Sequence, residues 1–253
     1  MNKIIKYSIV SITGLLLLAA VVGIYYKNLP DRVESDDPLV WESDILEFEK
    51  NDKINKPPGG AILFIGSSSI NLWHSLEKDM APLPVIKRGF GGAKINDILY
   101  YMKRIVIPYK PKIIVFYCGE NDISAGRKQT PDEILGNVKK FVFLVHKDLP
   151  AAKIYFISLK PSKFLWNMWP VIAEVNSKIE DYTRSDNLLQ YIDISKEMFA
   201  GKGRIREDLF KEDGLHINAQ GYKIWTSIIK PIIERDYYKE QYFFNGTPER
   251  MRH

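Results

Sequence analysis

The chain has 253 residues, of which 45% are hydrophobic, and this is enough to build one sizeable globular core. It contains a single cysteine, Cys118, which excludes an internal disulfide and any zinc site built on paired cysteines. The formal net charge is +5, from 36 basic and 31 acidic residues.

The first 27 residues differ in composition from the rest. Lys3 and Lys6 precede the uncharged segment 7–26, and Lys27 follows it. About twenty residues is the length at which a helix spans the hydrocarbon core of a bilayer. Residues 1–27 therefore predict an N-terminal transmembrane anchor, with the remaining chain outside the cytoplasm, on the periplasmic or extracellular face. A signal peptide that is cleaved to release a secreted protein is the alternative.

The N-terminal lysines also account for most of the excess charge. Without Lys3, Lys6 and Lys27, 33 basic residues stand against 31 acidic ones, a net charge of +2. No dense basic cluster remains, so the composition argues against nucleic acid as a partner. The membrane, through the N-terminal helix, is the partner that the sequence predicts.

The next segment is charged and rich in proline. Residues 28–60 predict a tether with one short helix around residues 41–51. The sequence predicts that residues 61–240 form the folded domain and that residues 241–253 form a C-terminal tail.

Strand-like and helix-like segments alternate from residue 61 onward. Apolar runs predict five strands: AILFIG (61–66), VIKRGF (85–90), KIIVFYCG (112–119), KIYFISLK (153–160) and LLQYIDIS (188–195). Among the helical patterns between and after them, one begins at a capping box of Thr130 and Glu133, and the last runs from about residue 219 to 233. This alternation predicts an α/β fold in which a parallel sheet is covered by helices on both faces.

Glycines and polar residues follow the strands, where parallel sheets form their sites. Serines 67–69 follow the first strand, Gly92 the second and Asn121 the third, while Asp213 and His216 precede the last helix. Taken singly, each has an ordinary alternative, because serines cap helices, glycines make tight turns and Asn-Asp is common turn chemistry. Their joint occurrence at one edge of the sheet favours a functional site.

These residue types are the ones that acyl transfer requires. A serine is a weak nucleophile unless an imidazole takes its proton, and the imidazole needs an acceptor to orient it. Asp213, three residues before His216, can orient that ring, while Gly92 offers a backbone N–H and Asn121 a side-chain amide to an oxyanion. The other three histidines lie in helical patterns or at the chain terminus, so His216 is the candidate base.

Four sequence blocks, in order, resemble those of the SGNH, or GDSL-like, hydrolase family: FIGSSSINLW, RGFGG, GEND and DGLH. The resemblance extends from residue 61 to about residue 233. It implies a flavodoxin-like three-layer α/β/α sandwich with a five-stranded parallel sheet. It also implies that Ser68 is the nucleophile, that Asp213 and His216 complete the triad, and that Gly92, Asn121 and the Ser68 N–H form the oxyanion hole.

Two features of the nucleophile loop depart from familiar patterns. The residue before the nucleophile is usually Asp in this family and is Ser67 here, which leaves the choice among serines 67–69 open. The G-x-S-x-G elbow of other hydrolases is absent, because Ile70 stands in place of the second glycine. GSSSI together with KPS after the fourth strand is closest to the acetylhydrolase-like and carbohydrate-esterase-like members.

The predicted function is that of a serine esterase acting on a small-molecule or glycan O-acyl ester with an acetyl or other short acyl group. The alternatives are a lysophospholipase-like or thioesterase-like lipid hydrolase, an O-acyltransferase to a cell-envelope glycan, and a binding module without catalysis. We expect no cofactor and no metal, since one histidine with its neighbouring carboxylates provides too few ligands. The oligomeric state stays open.

Four further residues have two interpretations each. Trp166 and Trp169 could line a sugar or acyl site, or they could be packing residues. Lys160 could contact an acidic substrate, although a solvated lysine is expected. Cys118 is expected to be a small core residue.

Overall fold

A parallel five-stranded sheet forms the centre of the protein. The computed structural model describes residues 31–244. Its strands are β1 (Ile62–Gly66), β2 (Val85–Gly89), β3 (Ile113–Tyr117), β4 (Lys153–Ile157) and β5 (Leu189–Ile192). They lie in the order β2-β1-β3-β4-β5 and every neighbouring pair is parallel. The predicted α/β fold with its five-stranded parallel sheet is confirmed.

The apolar composition of the strands follows from their burial. Every residue of β1 and β3 is buried, because helices cover both faces of the sheet. Strand order reverses beside β1, since the chain runs from β1 outward to β2 and then crosses back to β3. At such a switch point the loops after neighbouring strands diverge to opposite faces, which leaves a crevice at their carboxyl ends.

The α-helices lie before the first strand, between the strands and after the last one. They are α1 (Glu42–Ile54), α2 (Ser68–Asn71), α3 (Leu76–Met80), α4 (Ile95–Ile105), α5 (Glu120–Ser124), α6 (Pro131–Asp148), α7 (Trp169–Thr183) and α8 (Ala219–Phe244). The capping box predicted at the start of α6 is present, with the Glu133 N–H donating to Thr130 Oγ1 and the Thr130 N–H donating to the Glu133 carboxylate. A small hairpin of β6 (Phe199–Ala200) and β7 (Arg204–Ile205) follows β5.

The last helix is longer than the sequence pattern predicts. It continues to Phe244, whereas the periodicity indicated an end near residue 233. Trp225, Ile229, Ile233 and Tyr237 are all buried at four-residue spacing, so the apolar face extends beyond the predicted end. Pro231 lies within the helix without ending it.

The residues before β1 pack against the domain. Residues 31–37, here called the N-terminal arm, lead into a 3₁₀ turn (Pro38–Trp41) and α1. Trp41 and Ile45 are buried, and the Arg104 guanidinium on α4 bonds both Glu42 and Glu49 on α1. From residue 31 onward, the segment predicted as a tether and short helix is therefore integrated into the fold.

The predicted membrane anchor, residues 1–27, lies outside the described residues. Between residues 31 and 244, no helix is long and apolar enough to cross a membrane.

Glycine is required where β1 meets β3. A Cβ atom on Gly66 would lie 1.9 Å from the carbonyl oxygen of Tyr117, whereas one on the exposed Gly136 of α6 would meet nothing within 4 Å. We expect Gly66→Ala to lower the free energy of unfolding by roughly 2–4 kcal/mol. The same change at Gly136 should raise it by about 0.5–1 kcal/mol, because alanine favours the helix interior. Urea unfolding of both variants measures the contrast, and equal effects would contradict it.

Candidate active site

Four chain segments meet at the carboxyl edge of the sheet. They are the loop between β1 and α2, the loop between β2 and α4, the start of α5 after β3, and residues 213–216 before α8. Among the three serines after β1, Ser67 and Ser69 are 1% exposed, while Ser68 is only half-buried. Ser68 is thus the serine that a substrate can reach.

A continuous chain of hydrogen bonds joins Ser68, His216 and Asp213. Ser68 Oγ lies 3.0 Å from His216 Nε2. On the other side of the ring, His216 Nδ1 lies 2.7 Å from Asp213 Oδ2. The other carboxylate oxygen accepts hydrogen bonds from the backbone N–H groups of His216 at 2.8 Å and Leu215 at 2.9 Å. These backbone bonds fix the carboxylate, which in turn fixes the imidazole plane.

The environment of Asp213 keeps its carboxyl group ionised. Partial burial acts to raise its pKa, but the hydrogen bonds from the His216 ring and from the His216 and Leu215 N–H groups together hold the pKa below its ordinary value. The side chain is 46% exposed, so solvent screens the pair and its value to folding is small. Its contribution is the orientation of the ring.

Asn121 and Gly92 are the two other residues predicted for the site. Asn121 lines the same cavity as Ser68, and its Nδ2 donates to the Ala93 carbonyl at 3.0 Å. Gly92 adopts a φ of +84°, a conformation that side chains disfavour. A Cβ there would also lie 2.3 Å from Val33 Cγ2 on the N-terminal arm. The structure thus joins Ser68, His216 and Asp213 by hydrogen bonds and places Asn121 on the same cavity as Ser68, while Gly92 lies against Val33, another residue of the cavity lining.

Two buried carboxylates hold the loop that carries Gly92. Asp122, fully buried, accepts from the Ile95 N–H and from Gln129 Nε2, while Asp97 accepts from the Lys94 N–H and Trp41 Nε1. Burial raises the pKa of Asp122 to about 7 and that of Asp97 to about 6, with backbone N–H donors opposing the shift in both. Asp122, from the GEND block, therefore joins the start of α5 to the loop between β2 and α4.

A buried ion pair lies beneath the nucleophile loop. Lys160 is fully buried, and its Nζ lies 2.8 and 2.9 Å from the two carboxylate oxygens of Glu120. The same ammonium reaches the hydroxyl oxygens of Tyr117 at 3.3 Å and Ser69 at 3.4 Å. The expectation of a solvated Lys160 is wrong, because its side chain extends inward from the segment after β4 and is buried against Glu120. It connects the residues that flank Ser68 and Asn121 along the chain.

The other three residues that had two interpretations from the sequence lie in different parts of the fold. Cys118 is buried, and its Sγ lies 3.2 Å from the Ala93 carbonyl oxygen, as expected of a small core residue. Trp169 packs edge-on against Phe199 of the hairpin. Trp166 is 43% exposed and lines a groove of about 750 Å³ with Arg204, Arg206 and Lys163.

The cavity over Ser68 has a volume of about 410 Å³. Its lining is mixed, with apolar side chains and a few polar ones: Val33, Glu34, Ser68, Glu120, Asn121, Ser124, Ala125, Phe164, Leu165 and Leu215. Within residues 31–244 no group of three or more His, Cys, Asp and Glu side chains could hold a metal ion. A hydroxyl beside an oriented imidazole, with an amide donor nearby, can carry out acyl transfer.

Comparison with known proteins agrees with this chemistry. A family model described as "GDSL-like Lipase/Acylhydrolase family" matches residues 66–224. The platelet-activating factor acetylhydrolase IB subunit alpha2 of Gallus gallus is 25% identical over 213 residues, which cover 81% of this chain and 86% of that protein.

Solved structures share the fold at lower identity. A GDSL-like lipase from Bacteroides thetaiotaomicron has a TM-score of 0.65 at 20% identity, covering 76% of this chain and 98% of that one. A carbohydrate esterase family 3 protein from Talaromyces cellulolyticus has a TM-score of 0.57 at 18% identity, covering 71% of this chain and 98% of its own. At these identities the likeness describes the fold.

Several residues of the site had no prediction from the sequence. For the pairing of Lys160 with Glu120, the sequence offered one indication. Lys160 ends the apolar run of the fourth strand, at the same edge of the sheet as the other segments of the site. For Val33 and Glu34, which line the cavity from the N-terminal arm, the sequence offered none. Their segment is charged and precedes the first strand, and only packing places it at the site.

The Lys160–Glu120 pair provides a stability test. Lys160→Met would leave the Glu120 carboxylate buried without its cation, so we expect the free energy of unfolding to fall by about 3–5 kcal/mol. Adding Glu120→Gln should restore much of this loss. Lys163→Met is the control, because its partner Glu207 and Lys163 itself are both 67% exposed, and it should cost less than about 1 kcal/mol. Equal losses in the free energy of unfolding for Lys160→Met and Lys163→Met would show that burial of the Lys160–Glu120 pair does not determine its contribution to stability.

Proposed function

Because the chain belongs to the GDSL-like lipase/acylhydrolase family and is a carboxylic ester hydrolase, we propose that it removes an acetyl or other short acyl group from an O-acyl ester. Ser68 is the nucleophile, His216 the base and Asp213 the residue that orients it. The observation that carries this proposal is the hydrogen-bonded chain from Ser68 Oγ through the His216 ring to Asp213, at the floor of an accessible cavity.

The reaction proceeds in two halves. Ser68 Oγ attacks the ester carbonyl carbon while His216 Nε2 takes the hydroxyl proton, and the carbonyl oxygen becomes an oxyanion. His216 then returns that proton to the leaving alkoxide, which departs as the alcohol and leaves the acyl group on Ser68. In the second half a water molecule repeats the attack, the acid departs and Ser68 regains its proton.

Three hydrogen-bond donors stabilise the oxyanion in this proposal. The Gly92 N–H, the Ser68 N–H and Asn121 Nδ2 are assigned this role. The buried hydrogen bonds of Asp122 and Asp97 hold the Gly92 loop, so little reorganisation is needed as the charge develops. Removal of one such donor typically slows turnover by about a hundred- to a thousandfold.

A short acyl group and an extracytoplasmic location complete the proposal. The relative from Gallus gallus is named an acetylhydrolase, which supports acetyl as the group transferred. The structural neighbour from Talaromyces cellulolyticus is named a carbohydrate esterase, which supports a glycan as one possible alcohol. The uncharged segment 7–26 supports a membrane anchor that holds the domain outside the cytoplasm, with a cleaved signal as the alternative.

The nucleophile is tested within the serine triplet itself. We expect Ser68→Ala to lower kcat/KM for p-nitrophenyl acetate by at least about a thousandfold, because the Ser68 hydroxyl is the one that lies 3.0 Å from His216 Nε2. Ser67→Ala removes a buried hydroxyl that has no hydrogen-bond partner in the described residues, and should cost far less. Ser69→Ala is a second matched control. Near-normal turnover by Ser68→Ala, with loss in either neighbour, would assign the nucleophile to that neighbour.

The pH dependence separates the role of Asp213 from those of the buried Asp122 and Asp97. A carboxyl group whose pKa is lowered by folding stabilises the folded state above its unfolded pKa, and this stabilisation is lost as pH falls through the lowered value. Asp213 therefore stays charged at mildly acidic pH, and its protonation should not limit the rate there. We expect kcat/KM to fall as pH drops through the range in which Asp122 and Asp97 take up protons, with pKa values of about 7 and about 6, because protonation weakens the hydrogen bonds that hold the Gly92 loop. EDTA should have no effect. A rate that stays constant through this range, or activity that chelation removes and added metal restores, would contradict the mechanism.

A further inference from the structure

The N-terminal arm forms part of the wall of the catalytic cavity. Val33 and Glu34 line the same 410 Å³ cavity as Ser68 and Asn121. Val33 packs so closely on Gly92 that a Cβ on that glycine would lie 2.3 Å from Val33 Cγ2. These two arm residues precede the segment 66–224 that the family model matches.

Several contacts hold the arm against the body at successive residues. The buried Lys94 ammonium donates to the Ser35 carbonyl at 2.9 Å and to the Asp36 carboxylate at 2.6 Å. The Gly126 N–H, just beyond α5, donates to the Glu34 carboxylate at 2.8 Å. At the start of the arm, the Arg32 guanidinium lies 4.4 Å from the Trp41 ring and pairs with Asp44. Val33 is thus held in place on both sides along the chain.

The cavity has two distinct sides. On one side Val33 and Glu34 lie with Ser124 and Ala125, near Gly92 and Asn121. On the other side lie Phe164, Leu165 and Leu215, next to His216. The Phe164 N–H donates to the Gly214 carbonyl at 3.1 Å, which joins that side to the loop that carries the base.

The chemistry assigns one part of the ester to each side. His216 must give its proton to the leaving oxygen, so the alcohol has to lie on the side of His216, Leu215 and Phe164. The acyl chain leaves the carbonyl carbon in a direction away from the alcohol, and the cavity wall on that side consists of the N-terminal arm with Ser124 and Ala125. The side chain that it meets there is the half-buried, apolar Val33.

We propose that Val33 is a specificity-determining residue, and that the N-terminal arm limits the length of the acyl chain that Ser68 can accept. The inference rests on the proposed function, because it takes the ester carbonyl to bind at Ser68, Gly92 and Asn121. The property that the site selects is acyl chain length, and the segment that selects it is the N-terminal arm.

The test compares acyl chains of increasing length on a constant leaving group. Full-length protein is assayed with p-nitrophenyl acetate, butyrate, hexanoate and octanoate. Val33→Ala removes two methyl groups from the cavity wall and makes room for a similar volume of acyl chain. Hydrophobic pockets discriminate by roughly tenfold or more between substrates that differ by one methylene. Val33→Ala should therefore raise the octanoate-to-acetate ratio of kcat/KM by about tenfold, and Val33→Leu should lower the butyrate-to-acetate ratio by a similar factor.

Two controls isolate the role of the arm. Leu39→Ala lies just after the arm, is 54% exposed and is not part of the cavity lining, so its ratios should match those of the wild type. Stoichiometric labelling of Ser68 by a methyl phosphonate in each variant shows that the nucleophile stays intact. A matching series of longer alkyl phosphonates reports chain length without turnover.

The outcomes separate this inference from the proposed function. Normal ester turnover with unchanged chain-length ratios in both Val33 variants would overturn the assignment of Val33 and leave the esterase proposal standing. A wild-type protein that turns over none of these esters in a Ser68-dependent manner would overturn the proposed hydrolysis. In that case, a phosphonate series with no dependence on Val33 would overturn the present inference as well.

Discussion

The reversal of strand order beside β1 is the constraint on which the site depends. β1 pairs with β2 on one side and β3 on the other, so the ends of β2 and β3 each lie about 5 Å from the end of β1 and about 10 Å from one another. The register places Gly66 at the end of β1 beside both Gly89 of β2 and Tyr117 of β3, so the three strands end level with one another. Gly66 permits the close approach of β1 to β3, because a Cβ atom at this position would collide with the Tyr117 carbonyl. Ser68, Gly92 and Asn121 inherit their proximity from this arrangement.

Buried polar groups convert that proximity into a rigid geometry. Lys160 and Glu120 join the ends of β3 and β4 beneath the nucleophile loop, and Asp122 ties α5 to the start of α4. Burying such charges costs desolvation free energy, which close pairing and hydrogen bonds offset only in part. Well-packed apolar residues are often no less stable than a buried ion pair, so we attribute the ionic groups to the orientation they impose on their neighbours. In the proposed mechanism they hold the oxyanion donors and Ser68 in place before substrate arrives.

The N-terminal arm shows how a segment outside the matched family core can shape a common site. In the proposed function, the triad and its donors serve acyl transfer in general, and the residues of the surrounding cavity wall select the acyl group. Here that wall includes Val33, held by the Lys94 and Gly126 contacts of its neighbours. On the alcohol side, Phe164 and the exposed Trp166 lead toward the larger groove beside the hairpin.

The sequence by itself determined the fold class, because buried parallel strands need continuous apolar runs such as those at 62–66 and 113–117. It also determined which residue types could carry chemistry, since the blocks that hold Ser68 and His216 follow local rules of spacing. Only the tertiary structure decided that Lys160 is buried and that Val33 lines the cavity. Both depend on contacts between residues distant in the chain, where the packing of neighbouring elements, and not local pattern, decides what each side chain meets.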